Sequence, residues 1–421
     1  MRILYLCHRI PYPPNKGDKI RAFYQLRAIG ERHEVDVFTL ADDARDLGYG
    51  SDLAKYCRRL KVARVHPKLA RLRALPYLLT GAPLTVPYFY SAELAADVRK
   101  ALLSRSYDRI FVYCSAMAQY VKSAGQIPML TDLVDVDSDK WAQYARFTRF
   151  PFSAVYRREG RSLREYERKV CAKSSCVVVT TEREAQLVCQ ISPLANVHVV
   201  PNGVDTAYFD PHAAPPDRTV PTVIFTGDMS YFPNEEAVRY FALKVLPLIH
   251  RSVAGVRFLI VGRNPTRNVQ KLQKIEGVEV TGFAPDVRTY LAKSHVAVAP
   301  FSIAAGIQNK ILEAMAYGLP VVATSRATQG LSARVADMVD TGDTADEMAS
   351  KVVVLLRDSQ LAHRRGIDGR QRVAGEYRWE HSLDRLLELL ERPLTTQSPR
   401  NQPSLACTNT FITPRVPGVD G

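Results

Sequence analysis

A lysine and a glutamate three residues apart, Lys310 and Glu313, are the residues best suited by type and spacing to bind a charged ligand. The surrounding segment predicts a helix that opens near Gly306 and closes at Gly318, before a strand that starts at Pro320. Residues three apart share a helix face. This pair suits a diphosphate and its ribose, because helix N–H groups and Lys310 attract phosphates and Glu313 accepts bonds from vicinal hydroxyls. The alternative is a solvated ion pair.

Two aspartates, Asp135 and Asp137, form a D-x-D pair in a segment that we expect to be extended. Alternation along an extended chain would place both carboxylates on one side, which is compatible with ligation of Mg²⁺ or Mn²⁺. The same placement suits polar groups that contact an acceptor or the reacting atoms, and we favour that interpretation. A structural Asx turn is the other alternative.

Gly17 lies in a proline-rich loop between the first predicted strand and a helix. A glycine lets backbone N–H groups approach phosphate oxygens, and Lys16, Lys19 and Arg21 are neighbouring cations. An ordinary turn with solvated lysines is the alternative. The chain has no G-x-G-x-x-G motif, which argues against a dinucleotide oxidoreductase.

Gly227 and Arg263 each follow a predicted strand in the second half of the chain. In open parallel sheets ligands bind beyond the carboxyl ends of the strands, so both residues are candidates to face a nucleotide. For Arg263, an exposed loop arginine is an equally open interpretation.

The elements that must position these residues are short β-branched strands alternating with helical stretches. The predicted strands are residues 3–6, 35–39, 109–113, 177–180 and 197–200, and then 223–227, 256–262, 278–282, 295–300 and 320–324. This spacing implies crossover connections and parallel sheets. The pattern restarts after the proline-rich residues 211–221, and 421 residues fit two domains of about 200 residues each.

The composition is that of a globular protein with an excess of basic residues, 57 Lys and Arg against 43 Asp and Glu. Such an excess favours phosphates or an anionic membrane, and basic residues concentrate at 55–73 and 157–173. A solvated charged face is the alternative for both stretches. Neither a C-x-x-C nor an H-E-x-x-H motif occurs, so we expect no zinc site. No stretch suits a signal peptide or a spanning helix, so we expect a cytoplasmic protein, peripheral on a membrane at most.

Several segments resemble a known enzyme family. The run at 309–323 is similar to the donor-site signature of family 4 retaining glycosyltransferases, and residues 201–205 resemble the interdomain segment of that family. Residues 134–141 and 225–234 resemble the subgroup of sugar transferases encoded with PEP-CTERM exopolysaccharide systems. The likeness covers roughly residues 1–390.

The resemblance implies a GT-B fold, an α/β architecture of two facing Rossmann-like domains with parallel sheets. We expect the acceptor-side domain at residues 1–200, the nucleotide-sugar domain at 203–375, a helix at 376–391 that crosses back to the first domain, and a disordered tail at 395–421. The residues that would bind the donor are Gly17, Arg21, Gly227, Arg263, Gln308, Asn309, Lys310 and Glu313.

The resemblance also implies the reaction. A sugar would move, with retention of configuration, from a nucleotide diphosphate sugar to a glycan or polyprenyl-linked acceptor in exopolysaccharide biosynthesis. We expect no metal or other cofactor and no nucleic-acid partner, with Asp135 and Asp137 as catalytic or acceptor-side groups. Ala305 stands where the family commonly has a first glutamate, so the identity of the donor sugar is not carried over.

Two alternatives stay open from the residues alone. One is a metal-dependent GT-A transferase that uses Asp135 and Asp137 as ligands. The other is a non-catalytic basic protein that binds a membrane or nucleic acid.

Overall fold

The computed structural model describes residues 1–14, 17–212, 218–304 and 306–393. The expected disordered tail at 395–421, Lys16 and Ala305 therefore lie outside the described residues. The chain divides into two compact units, one formed by Met1–Val200 with the residues from Leu383 onward, and the other by Pro201–Ser382.

The first unit is built on a seven-stranded sheet in which every strand pair is parallel. Its strands are β1 (Arg2–Cys7), β2 (Glu34–Ala41), β3 (Arg59–Arg64), β4 (Arg109–Tyr113), β5 (Met129–Val134), β6 (Cys176–Val179) and β7 (Val197–Val199). They lie in the order β3-β2-β1-β4-β5-β6-β7.

The helices of the first unit connect these strands. They are α1 (Gly17–Arg32), α2 (Gly50–Leu53), α3 (Pro67–Ala74), α4 (Thr85–Tyr88), α5 (Ala92–Ser104), α6 (Asp137–Phe147), α7 (Phe152–Lys173) and α8 (Glu182–Ile191), with 3₁₀ turns at Ala44–Tyr49, Ala54–Tyr56, Leu75–Leu79 and Ser115–Val121. Helices that cover both faces explain why strands such as β1 and β6 read as continuous apolar runs.

The second unit repeats this design with six parallel strands in the order β10-β9-β8-β11-β12-β13. Its strands are β8 (Thr222–Thr226), β9 (Arg257–Val261), β10 (Val278–Gly282), β11 (Val296–Ala299), β12 (Val321–Ala323) and β13 (Asp340–Thr341). Its helices are α9 (Phe232–Tyr240), a π-helical turn (Phe241–Val245), α10 (Leu246–His250), α11 (Arg267–Lys271), a 3₁₀ turn (Leu272–Lys274), α12 (Arg288–Leu291), α13 (Asn309–Ala316), α14 (Ser325–Thr328), α15 (Ala333–Ala336), α16 (Ala345–Arg357) and α17 (Ser359–Glu376).

Both strand orders are those of the Rossmann fold, in which the order reverses beside the first strand. The reversal lies between β1 and β4 in the first unit and between β8 and β11 in the second. Within the described residues we find no helix that combines the length and the apolar character needed to cross a membrane.

The last helix, α18 (Trp379–Glu391), adds apolar side chains to the first unit. Four of its leucines are at most 3% exposed: Leu386, Leu387, Leu389 and Leu390. They belong to the core cluster that also contains Phe23, Leu26 and Ile29 of α1. Removing one of them opens a cavity in a core that is packed as densely as an organic crystal.

We therefore expect Leu390→Ala to lower the free energy of unfolding of the first unit by about 2–5 kcal/mol. Leu103→Ala is the matched control, because the Leu103 side chain is 82% exposed, and its effect should stay within about 0.5 kcal/mol. Urea denaturation followed by the fluorescence of Trp141, in a Trp379→Phe background, measures both. Equal stability of the two variants would show that α18 does not complete this core.

Candidate active site

In the second unit the candidate donor residues follow the two strands that flank the reversal of strand order. Gly227 follows β8, and the loop after β11 leads to Gln308, the N-cap of α13. The carboxyl ends of parallel strands meet at one edge, where open α/β sheets bind their ligands. The fold therefore brings Gly227, Gln308, Asn309 and Lys310 to the ligand-binding edge.

The ammonium of Lys310, in the first turn of α13, is enclosed by polar and aromatic groups. Its Nζ donates to Asn234 Oδ1 at 2.7 Å. The same atom lies 3.9 Å from the ring centroid of Phe225 and 4.6 Å from that of Phe301. Aromatic faces attract a cation most strongly where water is excluded. Lys310 is thus held as a positioned cation rather than as a freely solvated surface lysine.

Two glycines form the backbone wall beside this ammonium. A β-carbon on Gly227 (φ 155°) would lie 2.7 Å from Asn234 Nδ2 and 3.0 Å from Lys310 Nζ. A β-carbon on Gly262 (φ 151°) would lie 1.6 Å from the carbonyl oxygen of Gly227. Neither position accepts a side chain, so the backbone itself lines the space next to Lys310.

Arg263, two residues beyond the end of β9, forms an ion pair with an aspartate. Its Nε donates to Asp228 Oδ2 at 3.1 Å, and its side chain is 22% exposed. The other oxygen, Asp228 Oδ1, accepts from the N–H and the hydroxyl of Ser230 at 3.0 and 2.6 Å. The ion pair fixes Arg263 against the loop after β8, where the carboxylate offsets part of its charge.

The remaining donor candidates lie on α13. Asn309 Oδ1 accepts from Asn202 Nδ2 at 3.0 Å, and Asn202 is 8% exposed. Glu313 lies one turn beyond Lys310, while Ile311, Leu312 and Met315 are buried in the core of the unit. The amphipathic pattern of this helix, predicted from the sequence, is confirmed.

In the first unit a wholly buried aspartate, Asp132 on β5, organises the end of that strand. Its Oδ2 accepts from Arg21 Nε at 2.8 Å and from Gln25 Nε2 at 2.6 Å, and its Oδ1 accepts from the N–H of Val134 at 2.9 Å. The side chains of Arg21 and Asp132 are 1% and 0% exposed. Such a pair is stable only with good geometry and additional hydrogen bonds, both of which are present here.

This burial is at odds with the prediction that Arg21 binds the donor. The prediction placed Arg21, with Lys16 and Lys19, near Gly17 as a cation for phosphate oxygens. Lys19 is also buried, with its Nζ 2.7 Å from Asp46 Oδ2. Gly17 begins α1 and is exposed. Both cations face the interior because α1 turns them towards acidic partners there.

Asp135 and Asp137 follow a tight turn instead of lying on an extended segment, contrary to the sequence expectation. Val134 has φ 65°, the N–H of Asp135 donates to the Leu133 carbonyl at 2.8 Å, and Asp137 is the first residue of α6. A positive φ in a β-branched residue is strained and persists only when its surroundings impose it. The bond from the Val134 N–H to the buried Asp132 carboxylate supplies that constraint.

The two carboxylates nevertheless face one cation. Lys140 Nζ lies 3.7 Å from Asp135 Oδ2 and 3.5 Å from Asp137 Oδ1. Cys114, another non-glycine residue with positive φ (75°), places its Sγ 3.9 Å from Asp137 Oδ2. Backbone strain of this kind clusters at functional sites, which supports a chemical role for the pair.

Two buried glutamates neighbour these aspartates and titrate near neutral pH. Burial, with a smaller contribution from the charge of Asp135, raises the pKa of Glu184 to about 8, although hydrogen bonds from Thr180 act to lower it. Burial likewise raises the pKa of Glu167 to about 8, although Ser138 donates to it. Burial raises the pKa of Asp135 as well, while Lys140 opposes the shift.

Comparison with known proteins identifies the family. Residues 21–203 match the family model described as "Glycosyl transferase 4-like domain", and residues 220–358 match "Glycosyl transferases group 1". The two matches together span well over half of the chain and fall one on each unit. The chain belongs to the family 4 glycosyltransferases.

Solved structures with this fold agree with the assignment. The glycosyltransferase is similar to sucrose-phosphate synthase from Thermosynechococcus elongatus, with a TM-score of 0.67 at 18% identity over 93% of this chain and 98% of that one. It is similar to HepE of Anabaena in complex with UDP and glucose, with a TM-score of 0.66 at 16% identity over 93% and 99%. The fold is GT-B, which excludes the GT-A alternative.

Curated relatives match over shorter spans. One subunit of the phosphatidylinositol N-acetylglucosaminyltransferase of Arabidopsis thaliana is 30% identical over 35% of this chain and 34% of its own length. A GDP-mannose-dependent α-(1-6)-phosphatidylinositol monomannoside mannosyltransferase of Mycobacterium tuberculosis is 27% identical over 50% and 60%. The glycosyltransferase therefore spans only about a third to three fifths of these two relatives.

Sequence reasoning missed several residues that the structure brings to the two sites. Asn234 lies far from Lys310 in the chain, and its role as the partner of the ammonium depends on α9 and α13 meeting at one sheet edge. Asp132 gave a weak signal, a single acid inside the apolar run of β5. Glu167 and Glu184 lie on helices and gave no signal that separates them from surface glutamates.

Burial shifts the pKa values of Lys310 and Glu313, the two charged groups of α13, towards neutral pH. It lowers the pKa of Lys310 to about 7, with Glu313 opposing the shift. It raises the pKa of Glu313 to about 7, with Lys310 opposing the shift. An anionic ligand stabilises protonated Lys310, so binding near pH 7 takes up a proton at this residue.

We expect the affinity for UDP or GDP to pass through a maximum near pH 7. Lys310 must be protonated to attract a diphosphate, and this form is lost as the pH rises through its pKa of about 7. Glu313 must be ionised to accept ribose hydroxyls, and this form is lost as the pH falls through its pKa of about 7. Lys310→Ala should remove the decline on the alkaline side, and Glu313→Gln the decline on the acidic side.

Calorimetric titration from about pH 5.5 to 9 measures these profiles. At pH 7 each variant should bind about tenfold to a hundredfold more weakly, as expected for a lost hydrogen bond to a charged group. Lys351→Ala is the control, because Lys351 is an exposed lysine of the same unit on α16. Unchanged affinity and an unchanged profile in Lys310→Ala would remove Lys310 from the site.

Proposed function

We propose that the enzyme transfers a sugar from a nucleoside diphosphate sugar, held by the second unit, to a glycan or a lipid-linked acceptor bound by the first. The single observation that carries this proposal is the enclosed ammonium of Lys310, which lies at the carboxyl edge of a Rossmann-type sheet. A half-buried cation whose hydrogen-bond acceptor, among the described residues, is the neutral amide of Asn234 is stabilised by an incoming diphosphate.

The proposed donor site extends on both sides of Lys310. The backbone of Gly227 and the N-terminal N–H groups of α13 are suited to phosphate oxygens, with Arg263 as a second cation. Glu313 is suited to the ribose hydroxyls, while Gln308 and Asn309 border the helix N-terminus. Gly17, the exposed first residue of α1 in the first unit, remains a predicted donor residue. Arg21 has no part in the site, because Asp132 holds it in the interior.

Asp135 and Asp137 are the proposed catalytic or acceptor-side groups. They lie beyond the end of β5, Lys140 contacts both, and a strained turn aims them. We propose that the reaction retains configuration and needs no metal, since Lys310 and the helix N-terminus supply positive charge to the leaving diphosphate. Positioning and electrostatic stabilisation would provide most of the rate enhancement.

The proposed acceptor and cellular setting draw on the relatives and on the surface charge. The names of both curated relatives refer to phosphatidylinositol lipids, which supports a lipid-linked acceptor. The basic stretches at 55–73 and 157–173 support attachment of the first unit to an anionic membrane. A role in exopolysaccharide biosynthesis rests on the sequence resemblance described above.

A thermal-shift screen against UDP-, GDP- and ADP-sugars tests the donor proposal. A donor present at about 100 times its dissociation constant stabilises the folded state by about 2.7 kcal/mol, which raises Tm by several degrees. One nucleotide should stabilise the enzyme more than the others, with or without EDTA, and Lys310→Ala should lose most of the shift. Equal responses to all nucleotides, or to inorganic pyrophosphate alone, would indicate a general polyanion binder.

Replacement of each catalytic candidate tests the second part of the proposal. Asp135→Asn and Asp137→Asn should each lower kcat by about 10²-fold or more while leaving donor affinity within about twofold, the mark of an interaction made mainly in the transition state. The control is Asp139→Asn, because Asp139 bonds Arg183 and Gln143 instead. Activity lost with EDTA and restored by Mn²⁺ would contradict the metal-independent mechanism.

A further inference from the structure

Helix α3 and the 3₁₀ turn that follows it contact the rest of the protein through their smallest side chains. The side chains that the structure buries across Pro67–Leu79 are those of Ala70 and Ala74, which lie one helical turn apart. Four leucines are instead more than half exposed, with exposed fractions of 62%, 61%, 53% and 94%: Leu69, Leu72, Leu75 and Leu79. We call these four residues the leucine face. A surface helix of a globular protein normally shows the reverse arrangement, with leucines inward.

The chain around the leucine face carries positive charge and no negative charge. Residues 53–92 contain eight lysines and arginines and neither aspartate nor glutamate. Lys68 and Arg71 lie on α3 itself, among the leucines, and are exposed. Exposed leucines next to exposed basic residues are the composition of helices that lie in an anionic membrane interface.

Backbone carbonyls next to the leucine face accept hydrogen bonds from a side chain of the protein and therefore do not need water as a donor. Arg158 of α7 donates to the carbonyl oxygens of Tyr77 and Thr80, and to that of Ala82 at 2.8 Å. Moving a backbone carbonyl that lacks a hydrogen-bond donor from water into a bilayer has a free-energy cost of several kcal/mol. These three carbonyls are already satisfied from within the protein.

Two further side chains hold the same region in place. Glu159 accepts from the N–H groups of Leu84 and Thr85 at 2.7 and 2.9 Å. Arg73 donates to the carbonyl oxygens of Pro87 and Tyr90 at 2.8 and 2.5 Å. A preorganised element loses little conformational entropy when it binds a surface.

We propose that the leucine face inserts into the interface of an anionic membrane, with Lys68 and Arg71 against lipid phosphates. A second copy of the chain is a poor occupant, because it would bring a like-charged segment to this surface. A nucleic-acid backbone matches the charge but offers no apolar phase for four leucines. The inference names the docking element for the membrane attachment proposed above and does not depend on the chemistry of the donor.

Flotation with liposomes tests the insertion. Wild-type enzyme should float with vesicles that contain phosphatidylglycerol and much less with pure phosphatidylcholine. Leu72→Gln/Leu79→Gln should reduce the partition coefficient on anionic vesicles by about tenfold or more, at low and at high salt. Lys68→Gln/Arg71→Gln should reduce it mainly at low salt, because salt screens the charges.

The matched control is Leu103→Gln/Leu194→Gln, because these leucines, outside the segment, are 82% and 65% exposed. The control should float like the wild type. Flotation of Leu72→Gln/Leu79→Gln that equals the wild type would overturn the proposal, even if both depend on salt, and would indicate adsorption through charge alone. The proposal would also be overturned if a nucleic-acid duplex displaced the enzyme completely from vesicles and bound Leu72→Gln/Leu79→Gln as tightly as the wild type.

A spectroscopic variant reports insertion directly. In Leu79→Trp the new indole should be quenched by brominated lipid and shift to the blue, whereas in Leu103→Trp it should not. Absence of quenching in Leu79→Trp overturns insertion. The thermal response of Leu72→Gln/Leu79→Gln to nucleotide sugars should match the wild type, so loss of membrane binding is separable from failure of the donor proposal.

Discussion

Parallel strands direct their carboxyl ends to one edge of a sheet, and both candidate sites depend on this constraint. In the second unit it brings the loop after β8 to the first turn of α13, so that Gly227 lies beside Lys310 although they are distant in the chain. In the first unit it brings Cys114, after β4, to Asp137, after β5. The chemistry is therefore a property of the sheet order, and the loops add the particular side chains.

The way each buried charge is compensated separates the residues proposed to bind a ligand from those that only support the fold. The carboxylate of Asp132 is buried with three donors, so its charge is fully compensated and it has no capacity left for a ligand. Lys310 has one neutral oxygen and two ring faces, which compensate its charge less well, and burial accordingly lowers its pKa. An ammonium in this condition gains from an anion, whereas the guanidinium of Arg21, paired with Asp132, does not.

The sequence predicted those features that depend on local patterns. Apolar β-branched runs identified most strands, and the periodicity of α13 placed its leucine and isoleucine in the core. β3 was missed because its charged residues, at a sheet edge, read as part of a basic stretch, and β5 because Asp132 interrupts its apolar run. The charge of Asp132 becomes tolerable only through Arg21, a partner that no local pattern reveals. The same limit explains why the sequence did not predict the burial of Arg21.

Partners distant in the chain also decided the parts of the site that spacing could not predict. Asn234, on α9, accepts a hydrogen bond from Lys310 at the start of α13, and Asp135, after β5, acts on Glu184 of α8, which packs against β6. Only the side chains of α13 itself, Lys310 and Glu313, could be grouped from spacing. Their shared environment, which moves both pKa values towards 7, required the three-dimensional structure.

The acids beside β5 act electrostatically as one group. Burial raises the pKa of both Asp135 and Glu184, and neighbouring carboxylates add to the shift, since Asp137 acts on Asp135 and Asp135 acts on Glu184. With a pKa of about 8, Glu184 retains its proton at neutral pH, which lets Asp135 share the ammonium of Lys140 with Asp137.

In the proposed reaction the departing diphosphate leaves positive charge on the sugar ring, as in other glycosyl transfers with oxocarbenium-like transition states. Asp135 and Asp137, whose carboxylate oxygens lie 3.7 and 3.5 Å from Lys140 Nζ, are the groups suited to stabilise such a cation. The electrostatic contribution of this site would then belong to the cluster, since the charge of Asp135 raises the pKa of Glu184 on helix α8.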